Sequence, residues 1–207
     1  IDDHALVRTG IKMILAGEVD IEVVGDTDSG EEALRQIRAL KPDVVLCDLH
    51  LPGMSGLEIT ERITRGGLTT KVIIGSVLED GPLPKRLLEA GASGYIGKAG
   101  DASELLHAVR TVSGGKRYLG SNIAQNLALS NIDGHASPFD ELSSRELEVT
   151  MLLIQGLRQE EIAKRLSLSP KTVNSYRYRL FSKLGINGDV ELTHLAIRYG
   201  MLDADTL

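Results

Sequence analysis

Hydrophobic and polar positions along residues 1–116 alternate between two periods. Leu6, Val7, Ile11, Ile14 and Leu15 recur at helical spacing, so residues 5–16 are expected to form a helix. Residues 21–25 read as a strand. Ser29 and Glu32 form a capping-box pattern that opens a helix over 30–40. Val44, Val45, Leu46 and Cys47 are an unbroken apolar run, suited to a strand buried on both faces. Strands over 71–76 and 95–96 and helices over 55–63, 82–90 and 102–112 complete the series. Strands alternating with helices predict a doubly wound α/β fold with a parallel, five-stranded sheet. Its first strand would end at Ile1, so about five residues of strand are expected to precede the chain.

The pattern then changes. Residues 121–130 carry a helical stripe at Ile123 and Leu127, and residues 131–138 are rich in turn formers and read as a flexible hinge. Ser143 and Glu146 form a second capping box, with Leu147, Met151 and Ile154 inward on a helix to about Gln155. A short helix over 159–166 follows. Ser169 caps the next one and Pro170 takes its first position, where the missing N–H costs nothing. On that helix, over 171–184, Val173, Leu180 and Leu184 face inward with Tyr176 and Phe181 flanking. A last helix covers about 190–199. The division expected is an α/β domain over 1–116, a linker with a short helix over 117–140, and a small all-α, four-helix domain over 141–207. The helices over 159–166 and 170–184 have helix-turn-helix proportions.

Charge sharpens the division. The 207 residues carry a net charge of −6, but residues 1–116 carry −5 and residues 144–188 carry +4. One acidic module and one that meets an anion are implied. A single cysteine, Cys47, excludes an intrachain disulfide and a CxxC metal site and suits a reducing compartment. No apolar stretch approaches the roughly 18 residues of a membrane span, so the expectation is a cytoplasmic protein with no membrane partner.

Chemistry-bearing residues gather at the expected strand ends, where open α/β sheets bind ligands. Asp2 and Asp3 follow the first strand, Asp48 the third, Ser76 the fourth and Lys98 the fifth. Three carboxylates sharing a pocket call for a cation, and oxygen ligands favour Mg²⁺. A hydroxyl and an ammonium opposite the metal suit the oxygens of a phosphoryl group under attack by Asp48. Each residue alone has a plainer role: helix cap for Asp2 and Asp3, strand end for Ser76, surface charge for Lys98. Their joint placement favours the chemical reading.

Asp2-Asp3-His4, Asp48 with Pro52 and Gly56, Ser76, and Tyr95-Ile96-Gly97-Lys98 resemble the receiver domain of two-component response regulators, a flavodoxin-like fold. The resemblance implies that Asp48 is the phosphoacceptor and that Asp2, Asp3, Asp48 and the backbone carbonyl of His50 hold Mg²⁺. Lys98 would pair with the phosphoryl group, Ser76 would hydrogen-bond it, and Tyr95 would change rotamer in response. A half-buried Tyr95 that merely packs on the sheet is the competing role. Two positions depart from the family pattern: Ala99 where many receivers have proline, and Gly75 where a bulkier residue is usual.

Between residues 170 and 184 there are four bases, Lys171, Arg177, Arg179 and Lys183, and no acid, which favours phosphate contact over a merely solvated face. A helix of this kind docks in the major groove of DNA. Lys171, Thr172, Asn174, Ser175 and Tyr178 form the expected groove-facing set. Arg177, Arg179 and Lys183 are candidates for phosphate or acidic neighbours, with Arg179 the one expected in an intramodule salt bridge. Residues 142–198 resemble the LuxR-type helix-turn-helix through Leu142-Ser143, Arg145-Glu146, Glu161-Ile162-Ala163, residues 169–173 and Lys183-Leu184. The module order resembles the NarL/FixJ class. Residues 137–139, 174–179 and 188–192 extend the resemblance to the GacA/UvrY/SirA/VarA subgroup. That implies a transcriptional regulator, not an enzyme beyond slow self-dephosphorylation. It also implies a hybrid sensor histidine kinase of the BarA/GacS kind, RNA polymerase and DNA as partners, and a homodimer on activation. The promoters would be those of small RNAs that titrate a repressor of the CsrA/RsmA kind. Two alternatives remain: a Mg²⁺-dependent phosphatase with an Asp nucleophile, which would want an acid where His50 stands, and an adaptor that uses the receiver alone.

Overall fold

The computed structural model describes residues 1–77, 81–98, 100–132, 137–166, 168–199 and 201–202, the side chains of 129–132 excepted. The chain divides into two compact units, Ile1–Glu79 with Leu87–Gln125, and Asp80–Arg86 with Asn126–Leu207.

The elements up to Leu119 are α1 (Ala5–Ala16), α2 (Gly30–Leu40), β1 (Val44–Asp48), α3 (Gly56–Arg65), β2 (Lys71–Ser76), α4 (Leu83–Glu89), β3 (Gly94–Gly97), α5 (Ala102–Ser113) and β4 (Tyr118–Leu119). Three helices start where a side-chain oxygen satisfies an otherwise unbonded N–H. Ser29 accepts from Glu32 N, Ser55 from Glu58 N and Asp101 from Glu104 N. The four strands run parallel in the order β1-β2-β3-β4. Asp48 lies opposite Gly75, Gly75 opposite Ile96, and Ser76 opposite Gly97, so the carboxyl ends of three strands stand side by side. Ile73, Ile96, Leu105, Ala108 and Val112 form one apolar cluster, with Ile11, Ile14, Val44, Leu46, Val109 and Tyr118 packed on it.

The strand expected over 21–25 does not form. Its alternation is real, with Ile21 and Val23 half-buried and Glu22 and Val24 exposed. A strand also needs a hydrogen-bonded neighbour, and here Ile21 N turns back to Glu18 O at 3.4 Å. Residues 1 and 2 lie beside the end of β1 instead. Ile1 N donates to Leu46 O (2.7 Å), Asp48 N to Ile1 O (2.8 Å) and Asp2 N to Thr27 O (3.2 Å). Strand β4 was not anticipated, because two residues carry no period. It follows a turn at Gly115, where φ is 81°, and pairs with Gly94 and Tyr95.

Beyond it lie α6 (Ser121–Ile132), a 3₁₀ turn (Pro138–Glu141), α7 (Ser144–Ile154), α8 (Gln159–Arg165), α9 (Pro170–Leu184) and α10 (Asp189–Arg198). The expected hinge ends in the 3₁₀ turn, held by a capping box between Ser137 and Asp140 and by the buried Phe139 ring, edge-on to Tyr199. Residues 133–136 of that stretch, like Ala99, lie outside the described residues. The capping box of Ser143 and Glu146 forms as expected. Leu147, Met151, Ile162, Val173, Leu180, Phe181 and Leu192 are buried. Arg145 pairs with Glu148 at 2.7 Å and donates to Leu166 O at 3.0 Å, which ties α7 to the end of α8. Among the described residues no helix is long and apolar enough to cross a membrane.

Candidate functional site

At the carboxyl end of β1, Asp48 is 6% exposed, and Asp2 beside it is 3% exposed. Lys98, just past β3, reaches both. Its Nζ lies 2.8 Å from Asp2 Oδ2 and 2.8 Å from Asp48 Oδ2. Burial pushes the Asp2 carboxyl up, but hydrogen bonds from Lys98 and from the His4 N–H outweigh it and hold it below its usual range. Burial works to lower Lys98, and its bonds to Asp2 and Asp48 reverse that, leaving the ammonium raised. The His50 N–H donates to Asp48 Oδ1 at 3.3 Å, which fixes the carboxylate's orientation. Gly56 packs on the same turn: a Cβ there would collide with the Asp48 carbonyl oxygen.

Asp2, Asp3, His4 and Asp48 each offer an atom, all within 4.8 Å of one another. Among the described residues Asp3 Oδ1 is buried with no hydrogen-bond partner, although His4 Nδ1 stands 2.9 Å away. A buried carboxylate oxygen left over in a set of three Asp residues fits a hard divalent cation such as Mg²⁺. The residues at the neighbouring strand ends are also in place. Ser76 is buried at the end of β2, its carbonyl accepting from Lys98 N at 2.8 Å. Tyr95 is fully buried in β3, deeper than the half-buried position of the competing role. Cys47 is buried and its thiol is pushed up to about 12, chiefly by desolvation, so it takes no part.

The second unit presents α9. Val173, Leu180 and Phe181 are buried and Leu184 is half-buried, while Lys171 and Tyr178 are exposed and Thr172, Asn174 and Ser175 half-exposed. The Gln159 side chain donates to Pro170 O at 2.6 Å and locks α8 to the start of α9. The bases divide otherwise than expected. Arg177 Nε donates to Asp189 Oδ1 at 3.1 Å, and its Nη2 to Oδ2. Lys183 Nζ lies 2.6 Å from Glu146 Oε2 and 3.2 Å from Glu141 O. Arg179, expected in the salt bridge, has no ion pair among the described residues and lies over the Tyr176 ring, 5.1 Å from its centroid. The reason is angular: two positions turn the helix by about 200°, so Arg177 points to α10 and Arg179 away from it. Asp189 was the residue missed. Its only signal in the sequence is an acid opening a helix after Gly188.

Residues 1–110 match the response regulator receiver domain family, and residues 140–196 match the luxR family of bacterial regulatory proteins. The response regulator UvrY of Escherichia coli (strain K12) is 49% identical over 209 residues, spanning 100% of this chain and 96% of UvrY. The response regulator GacA of Pseudomonas aeruginosa is 48% identical over 206 residues, spanning 99% and 96%. The chain belongs to the LuxR-type response regulators. Residues 1–110 are the receiver of a two-component system, and residues 140–196 carry a LuxR-type DNA-binding helix-turn-helix of a transcription regulator. The fold of this response regulator is also similar to RcsB from Salmonella enterica serovar Typhimurium, solved bound to a promoter in the presence of a phosphomimetic beryllium fluoride. The TM-score is 0.69 at 25% identity, covering 94% of each chain.

Proposed function

We propose that Asp48 accepts a phosphoryl group from a sensor histidine kinase and that this switches promoter binding by the helix-turn-helix. What carries this reading is the meeting of two buried carboxylates, Asp2 and Asp48, on the Lys98 ammonium, each at 2.8 Å. An Asp48 carboxylate oxygen would attack phosphorus as the phosphorus–nitrogen bond of the donor histidine breaks, giving an aspartyl phosphate. Lys98 would then face the phosphoryl oxygens on Asp48, and the Asp2 carboxylate it now also binds would need another counter-charge. Asp2, Asp3, Asp48 and the His50 carbonyl would hold Mg²⁺, which neutralises charge on the transferring group when bound. Ser76 would bond the phosphoryl group, and Tyr95 would follow its movement. The receiver would cover residues 1–116, a linker 117–140 and the DNA module 141–207.

Lys171, Thr172, Asn174, Ser175 and Tyr178 would face the groove; Tyr178, 69% exposed, stands furthest out. RcsB, solved bound to a promoter in the presence of a phosphomimetic, supports promoter binding by a chain of this fold. Two recognition helices in a homodimer would meet half-sites about one helical turn apart. A BarA/GacS-like kinase, RNA polymerase and promoters of small regulatory RNAs are the partners in this reading, and the location is cytoplasmic; the likeness to UvrY and GacA is its support. The phosphatase alternative is not favoured: His50 stands where a second acid would be needed, and the adaptor alternative leaves α9 without a role.

The test treats the chain with a small phosphodonor and Mg²⁺ and reads intact mass and binding to promoter DNA. One phosphoryl group gained and tighter DNA binding, both absent in Asp48→Asn, are expected. A phosphoryl group on the Asp48→Asn chain, or equal binding before and after treatment, overturns the proposal.

A further inference from the structure

We infer that Asp189 limits the affinity of the helix-turn-helix for nucleic acid by holding Arg177 in an ion pair that a phosphate group must break. The inference rests on the DNA-binding reading above and concerns how that same site is tuned.

The observation is a partition of four bases. Lys183 is committed to Glu146, a carboxylate buried at the start of α7, and to a backbone carbonyl. It holds the module together. Lys171 and Arg179 have no carboxylate within ion-pair distance among the described residues, so they meet a phosphate at no cost in broken pairs. Arg177 is intermediate. Its fork engages both Asp189 oxygens, yet the side chains are 31% and 53% exposed, so the pair sits where a ligand on α9 can reach it. Its guanidinium also lies over the Phe181 ring at 5.3 Å, which confines it near the helix surface.

Counterion release gives the consequence. A base that neutralises one phosphate steepens the salt dependence of binding by about 0.9 in the log–log slope. While Arg177 stays paired with Asp189 it neutralises no phosphate and releases no counterion. Asp189 therefore subtracts one phosphate contact from the set that α9 offers. It also sets a negative charge beside the polyanion, so it weakens binding to every sequence alike and leaves base discrimination to the groove-facing residues.

The test uses the full chain and a mixed-sequence duplex, with affinity read by fluorescence anisotropy across a potassium chloride series. Asp189→Asn and Asp189→Ser are measured in the native chain and with Arg177→Ala; Arg179→Ala runs beside them. Ser serves as the second variant because it suits a helix start, and thermal melts check that each protein is folded. Both Asp189 variants are expected to steepen the slope by about 0.9 and to tighten binding severalfold, up to about eightfold at 0.1 M salt. Most of that gain is expected to vanish when Arg177 is alanine. Arg179→Ala is expected to lower the slope by about the same amount in every background. An unchanged slope in the Asp189 variants, or an equal gain with and without Arg177, overturns the inference while leaving DNA binding intact. Failure of any form to bind duplex overturns the DNA-binding reading itself, and the inference with it.

Discussion

Lys183→Met separates a structural base from a DNA-binding one on the same helix. Lys183 is 39% exposed, but its partner Glu146 is only 4% exposed. The two losses are therefore unequal. Removing the lysine strands a nearly buried carboxylate, with the Ser143 N–H at 2.8 Å and the remainder of the capping box to hold it among the described residues. Breaking a fully buried pair this way costs about 3–5 kcal/mol, and an exposed pair at most about 1 kcal/mol. A half-buried pair falls between, at about 2 kcal/mol, or about 10 °C in the melting temperature of a domain this small. Glu146→Gln should cost about half as much, because Gln also serves in a capping box and the lysine left behind can turn to solvent. The pair is also sensitive to acid. Burial raises the Glu146 carboxyl, but Lys183 and Ser143 outweigh it and hold it below its usual range. Its contribution is therefore complete above the carboxylate's unfolded value and disappears as pH falls through the lowered one. Urea melts from pH 7 to pH 3 on the two single variants and the double variant measure the coupling. The reasoning fails if Lys183→Met melts like the native chain while its DNA salt slope drops by about 0.9, the signature of a phosphate contact.

Lys98→Ala leaves Asp2 and Asp48 without their shared cation, so stability should fall by about 1–3 kcal/mol in a chelator and recover in millimolar Mg²⁺; a melting temperature indifferent to Mg²⁺ contradicts this. Gly56→Ala forces a methyl group against the Asp48 carbonyl, costing about 2 kcal/mol and slowing phosphoryl uptake; native melting and uptake would show that the turn has room. Cys47, with a thiol pushed up to about 12, should resist an alkylating reagent at pH 8 until denaturant unfolds the receiver; rapid labelling of the native chain would contradict its burial.

Local signals decided most of the elements. The caps at Ser29, Ser143 and Ser169, the apolar run ending at Asp48 and the helical stripe of α9 each lie within a few residues, where backbone and side-chain chemistry act without reference to the rest of the chain. The candidate pocket was legible for the same reason: strand ends can be read one at a time, and the alternation of elements says which ends meet. Tertiary structure decided what depends on a distant neighbour. The alternation of residues 21–25 could not become a strand without a backbone alongside, and Tyr118–Leu119 became one because β3 offered its edge. The roles of the four bases on α9 were undecided for the same reason. A helix presents each of them at a known angle, but only packing brought Glu146 to Lys183 and Asp189 to Arg177, across 37 and 12 positions of chain.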